Sequence, residues 1–260
     1  MEESTLDNTN EVSPQSSPST TPTPKTSRGL HGPSLGIGAG IAIVSIISAF
    51  LAVSVIDINP ELQFEENTPK PQTAGNAMTL FTANASPYLG NEDAPITLIE
   101  FGDYQCLFCN KFFHETEASI LKNYVETGKV KIIFKDFTII GPDSIVAANA
   151  AHCAEDQGKF WEYHDELYNN WAGENNGWAS SENLVKFAQN IGLNEEEFKQ
   201  CMSDGKYKQL VTASSNDAKN LGITGTPAFF VIGPDNQVTR ISGAQPYEVF
   251  HNIFQEELQK

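Results

Sequence analysis

The sequence predicts an α/β domain, a βαβ unit and a ββα unit separated by a long helical insert, behind a single apolar segment. Three observations carry this. Two short, β-branched apolar runs flank a helical stretch between residues 96 and 134. Residues 143–221 keep helical spacing. Two further short strands and an amphipathic helix close the chain.

Residues 1–34 are rich in Ser, Thr, Pro and Asn, with Thr-Pro repeated over Thr21–Pro24, and are expected to form a disordered polar tail. Leu35–Ile56 is a run of 22 residues without a charge, about 33 Å as a helix against a hydrocarbon core of about 30 Å. A buried core helix would show a polar stripe. A cleaved signal peptide is the sharper alternative, since Ala49 and Ala52 suit a peptidase, but the run is long and a long tail precedes it, which favours a retained anchor. Lys25 and Arg28 lie before the segment, and Asp57, Glu61, Glu65 and Glu66 after it. The positive-inside tendency then leaves the tail in the cytoplasm and exports the rest, giving a single-pass protein of the cell membrane. Residues 57–76 read as a linker and 77–260 as the folded domain.

Within that domain Ile96–Phe101 is a central buried strand, broken by Gly102 and Asp103. A helix follows from Cys106 to Val125, Gly128 stops it, and Val130–Phe134 is the second strand. In the insert, Asp143 is expected to cap a helix running through Phe160. Ser181 caps the next, and Asn194 with Glu197 forms a capping box leading to Gly205. Lys206–Leu221 is the insert's last helix. Ala228–Ile232 and Val238–Ser242 then make a hairpin, and Pro246 opens the final helix. Hydrophobic residues make up 40% of the chain, enough for a core. The formal charge of −17, without clustered Lys or Arg, excludes a sequence-independent grip on nucleic acid.

Cys106-Leu-Phe-Cys109 follows a buried strand and opens a helix. Unsatisfied N–H groups and the dipole at a helix N-terminus stabilise a thiolate. Cys106 is therefore expected to be an accessible, low-pKa nucleophile, and Cys109, one turn later and more buried, the thiol that resolves a mixed disulfide. The alternative, half of a zinc site, needs two more ligands, and neither a second CxxC nor a closely spaced His pair is available. No metal or cofactor is expected. Thr226-Pro227 stands directly before an aromatic-rich strand, where proline must take the first position because it cannot donate to the ladder.

With the CxxC and the intervening insert, this resembles the thioredoxin superfamily, in which a cis proline packs beside the disulfide and the preceding residue offers its backbone to an extended substrate. Ile99–Cys109, Gln157–Asp165 and Gly222–Phe230 narrow the resemblance to the DsbA-like family, from about Pro87 to the C-terminus. The resemblance implies a thioredoxin fold with an inserted helical subdomain. It also implies a catalyst of disulfide exchange in secreted or envelope proteins that carry thiols or disulfides, reoxidised by a membrane quinone-linked partner. Glu100 stands where the family often keeps a buried acid that ferries a proton for the deeper cysteine; a carboxylate turned to an interface or water is the alternative. The chain departs from the family at Leu107, where Pro is common, and at Phe108, where the strongest oxidants have His. Phe108 cannot donate to the thiolate, so the direction of exchange stays open between oxidase and reductase or isomerase. A non-catalytic client-binding module would need neither cysteine.

Cys153 and Cys201 fall in the insert. Two buried free thiols are one reading. An oxidising compartment, and the second pair found in some DsbA-like relatives, favour a structural bridge. His114 falls on another helix face from Cys106, while His152 and His164 sit on amphipathic helix, where solvated or hydrogen-bonded roles are expected. Trp161, Tyr163, Trp171 and Trp178 read as packing residues.

Overall fold

The computed structural model describes residues 74–260. The polar tail, the apolar segment Leu35–Ile56 and the linker up to residue 73 lie outside the described residues. Among the described residues no helix is long and apolar enough to cross a membrane.

The sheet is built from β1 (Ile96–Gly102), β2 (Val130–Asp136), β3 (Ala228–Ile232) and β4 (Val238–Ser242) in the order β2-β1-β3-β4. β1 and β2 are parallel; the other pairs are antiparallel. β1 and β3 are the inner strands and are buried on both faces, hence their near-continuous apolar sequences. Alternation along the strands divides the core. Ile96, Leu98, Ile132, Phe229 and Val231 pack on one face against Phe112, Ile120, Phe250 and Phe254. Ile99, Phe101, Ile133 and Phe230 pack on the other against Phe81, Ala218 and Ile223. Each such side chain removed from water contributes about 1.5–3 kcal/mol. Glu100 shares the first face, opposite Phe134 on β2 and Phe229 on β3.

Helix α1 (Ala74–Thr82) corrects the expected linker boundary, since helix begins before residue 77. It is held by Met78 and Phe81; the Phe81 ring lies 4.9 Å from that of Phe230. The helix after the CxxC is not uniform. It runs as α2 (Leu107–Phe112), a π segment Phe113–Glu117, α3 (Ala118–Ile120) and a second π segment Leu121–Val125.

The insert comprises α4 (Pro142–Glu155), α5 (Phe160–Asn169), α6 (Ser181–Asn190), α7 (Glu195–Asp204) and α8 (Lys208–Asn220). The helix expected to run from Asp143 through Phe160 is instead two. Pro142 occupies the first turn of α4, and Gly158, with φ of +71°, breaks the chain before α5. Ser180, not Ser181, caps α6, its hydroxyl accepting from the Asn183 N–H at 3.3 Å. Asn194 caps α7 as expected, accepting from the Glu196 and Glu197 N–H groups. The last insert helix starts two residues later than expected, after Gly205 ends α7 in the left-handed region. Helix α9 (Tyr247–Glu257) closes the chain.

α4 is not amphipathic: Ala147 through Ala154 are all buried. His152 is accordingly enclosed. Its Nε2 meets Asp136 Oδ2 at 2.9 Å, joining the insert to the end of β2, and its Nδ1 meets Glu155 at 2.8 Å. His164 is likewise buried, among the rings of Tyr104, Phe134 and Tyr168. Cys153 on α4 and Cys201 on α7 are joined by a disulfide, with Cα atoms 5.8 Å apart.

Candidate active site

The site begins where β1 ends. A Cβ on Gly102 would come within 2.4 Å of the Phe134 ring, so the close approach of the strand end requires glycine. Asp103 then organises two loops. Its Oδ1 accepts from the Gln105 N–H at 2.9 Å, and its Oδ2 accepts from the Ile139 and Ile140 N–H groups at 2.8 and 3.0 Å. Burial raises the Asp103 pKa, and those N–H donors oppose the rise. Gln105 is fully buried: its Nε2 donates to Ser144 Oγ at 3.1 Å, and its Oε1 accepts from the Asn175 N–H at 2.7 Å. Trp171 Nε1 donates to the Gln105 carbonyl at 2.8 Å, which draws the loop after α5 over the site.

This chain path delivers Cys106 to the N-cap of α2, in extended backbone conformation. The expectation of an accessible Cys106 needs correction, because the residue is only 4% exposed. Thr226 covers it, the Cys106 Sγ lying 3.4 Å from the Thr226 carbonyl oxygen, and the open surface belongs to Leu107 and Phe108. The Thr226–Pro227 peptide bond is cis, and Pro227 is buried at the head of β3.

The two thiols are electrostatically unlike. A hydrogen bond from the Cys109 thiol is the largest influence on Cys106 and helps bring its pKa down to about 6. Burial opposes this. Thr226 and the N–H groups of Cys109 and Phe108 reinforce it. Cys109 is fully buried, and burial, together with its bond to Cys106 and the charge of Glu100, pushes it well above the usual thiol range. Glu100 is 4% exposed, and burial followed by the charges of Glu117 and Cys106 raises it well above the carboxylate range. One of its oxygens has no hydrogen-bond partner among the described residues.

Cys106, Cys109, Thr226, Pro227 and Glu100 therefore meet at one end of the sheet, whereas Cys153 and Cys201 lie in the insert. Sequence reasoning missed Gln105, Glu117 and Glu174. The Glu174 carboxylate accepts from the Leu107 N–H at 3.2 Å, at the N-terminus that also serves Cys106. Gln105 and Glu174 are polar residues with no spacing signal, visible only once the loop is folded. The reduced, asymmetric dithiol can accept a disulfide through an acidic thiol and close it through a basic one.

A thioredoxin family model matches residues 82–252. The "Probable disulfide bond formation protein D" of Bacillus cereus is 29% identical over 203 residues, covering 76% of this chain and 87% of its own. The crystal structure of oxidised BdbD from Bacillus subtilis superposes with a TM-score of 0.61 at 27% identity, over 67% of this chain and 93% of that one. That of Wolbachia pipientis alpha-DsbA1 gives 0.59 at 26% identity, over 65% and 89%.

Proposed function

Because the chain belongs to the thioredoxin family, as a DsbA-like protein disulfide oxidoreductase, we propose that it is a membrane-tethered oxidase donating the Cys106–Cys109 disulfide to client proteins outside the cytoplasm. The observation that carries this reading is the contrast between an acidic Cys106 thiol at a helix start, beside Thr226, and a buried, basic Cys109. A client thiolate attacks Cys106 Sγ, the Cys106–Cys109 bond breaks, and Cys109 leaves with the electron pair and takes up a proton. A second client thiolate then attacks the client's own sulfur in the mixed disulfide. Cys106 departs as a thiolate, which is cheap at a pKa of about 6.

In this reading Thr226 and Pro227 flank the extended client, the exposed Leu107 and Phe108 contact it, and Glu100 supplies the proton to Cys109. The Cys153–Cys201 bridge is structural. A quinone-linked membrane protein reoxidises the pair, Leu35–Ile56 anchors the chain, and the tail stays in the cytoplasm. Protease applied to intact cells should then digest the domain after Ile56 and spare the tail.

The deciding experiment equilibrates the full-length protein in glutathione buffers and reads Cys106–Cys109 by alkylation and mass spectrometry. A potential near about −120 mV marks a disulfide donor; one near about −270 mV reverses the assignment to a reductase. The reductase or isomerase reading has one observation in its favour, the exposed Phe108, which offers the thiolate no side-chain donor.

A further inference from the structure

Of the buried acids that the dithiol mechanism leaves unused, Glu117 is the one whose charge Glu100 feels. Glu117, at the end of the π segment that follows α2, is 4% exposed, and its Oε2 has no hydrogen-bond partner among the described residues. It faces inward to Glu100, which feels its charge, and outward to a surface cavity of about 220 Å³. Phe113, His114, Ala118, Leu121 and Asp165 line that cavity with it, and His114, Ala118 and Asp165 are exposed there. His164, buried behind the cavity wall, also has an unpartnered atom, Nε2. Glu100, Glu117 and His164 thus each bear a buried polar atom without a partner. Such atoms are costly to keep unless used or hydrated.

We propose that Glu117 is a proton relay between Glu100 and the solvent of the Asp165 cavity, so that Cys109 exchanges its proton without opening the site. The proposal rests on Cys109 being the thiol released in disulfide exchange, and the balance is as follows. When a client thiolate breaks the Cys106–Cys109 bond, Cys109 leaves as a thiolate and takes the proton of the Glu100 carboxylic acid. Glu100, now ionised, takes the proton of Glu117, and Glu117 takes one from water in the cavity. One proton enters from solvent for each Cys109 released. In the resolving direction Cys109 attacks Cys106 Sγ in a mixed disulfide, the bound partner's sulfur leaves as a thiolate, and the Cys109 proton leaves by the same route.

The groups facing Glu117 fit a carrier. Burial raises it first, His164 lowers it, Asp165 raises it again, and it settles at about 7. Glu100 faces it from β1, His164 and Asp165 from α5, and Tyr104, whose pKa its charge helps raise, from the loop after β1. A carboxyl near neutrality releases and accepts protons with comparable ease.

The test is stopped-flow reduction of the oxidised full-length protein by a dithiol peptide from pH 5 to 9, normalised to peptide thiolate. The wild type should slow as pH rises through about 7, where Glu117 ionises. Glu117→Gln should lose that limb and react at least about tenfold more slowly below it. Glu117→Asp should restore it, and the Cys106 titration should be unchanged in all three. Ala118→Phe, which leaves Glu117 in place and fills the cavity mouth, should slow the reaction in the same way and cover the case of a poorly folding Gln variant. A limb that survives in Glu117→Gln, or equal slowing of the Gln and Asp variants at every pH, would overturn the relay. Because any wild-type exchange already satisfies the disulfide-exchange reading, either result tells against the relay alone.

Discussion

Removing the Cys109 thiol should convert Cys106 from a thiolate to a thiol at neutral pH. At a pKa of about 6, Cys106 is about nine-tenths ionised at pH 7. The first contributor to that acidity is the hydrogen bond from Cys109, ahead of Thr226 and the N–H groups of Cys109 and Phe108. A hydrogen bond to a charged group is worth about 1.5–3 kcal/mol, or about one to two pH units of titration midpoint. Cys109→Ala should therefore move the Cys106 midpoint to between about 7 and 8, cutting the thiolate fraction at pH 7 to between about a half and a tenth. Cys109→Ser keeps a donor at the same place and should stay near 6. The assay is ultraviolet thiolate absorbance against pH, checked by iodoacetamide alkylation rates, which should fall about two- to tenfold at pH 7 in the Ala variant. If the Ala and Ser variants both titrate near 6, the N–H groups at the start of α2 suffice and the argument from Cys109 is refuted.

The insert bridge closes a loop with a sequence separation of 48. Chain entropy alone makes that worth about 4 kcal/mol, so Cys153→Ala/Cys201→Ala should lose up to that much in urea unfolding; a loss under about 1 kcal/mol would contradict it. His152 carries a pH signature: burial lowers its pKa, but Asp136 and Glu155 overcome this and raise it to about 9. A raised cationic pKa stabilises fully below the unfolded value of about 6.5 and ceases to do so as pH rises through 9. Urea unfolding should therefore show a loss on the order of 3 kcal/mol across that window, absent in His152→Asn. Glu174→Gln keeps the acceptor for the Leu107 N–H but removes a negative charge from the start of α2. The Cys106 midpoint should fall by about half a pH unit, and a rise would reverse the inferred role of Glu174.

Much of the fold was legible because burial left its period in the sequence. β1 read as a central strand since both its faces are covered, β3 read as a strand of the closing hairpin, and α9 shows its apolar stripe at Phe250 and Phe254. Helix α1 was missed because it is short, follows a Pro-containing stretch, and gains its place from Met78 and Phe81 docking on a distant sheet face. The α4–α5 boundary was misread although Glu155–Lys159 interrupts the apolar spacing, and Gly158 was the available signal. The two cysteines, Thr226 and Pro227 were legible as types at spacings that chemistry recognises. Glu117 was not, because its residue type hid it. It lies four residues after Phe113, three before Ile120 and seven before Tyr124, on the apolar stripe of its helix, but a carboxylate there reads as a solvated side chain.

The chain's acidity takes on a different meaning once folded. A formal charge of −17 suggests a solvated surface, yet Glu100, Asp103, Glu117 and Asp136 are each no more than 4% exposed and gather around the end of β1 and β2. Asp103 and Asp136 are held by loop N–H groups and by His152. Among the described residues Glu100 and Glu117 have no such donors, and both are raised. An unpaired buried carboxylate discourages a second negative charge nearby, and Glu100 helps push Cys109 up. Cys106, bonded by Cys109, Thr226 and the helix start, is spared that penalty. Burial first, then the bond to Cys106 and the charge of Glu100, keep Cys109 protonated and leave Cys106 as the thiol that ionises, and this asymmetry sets the order in which the two sulfurs react.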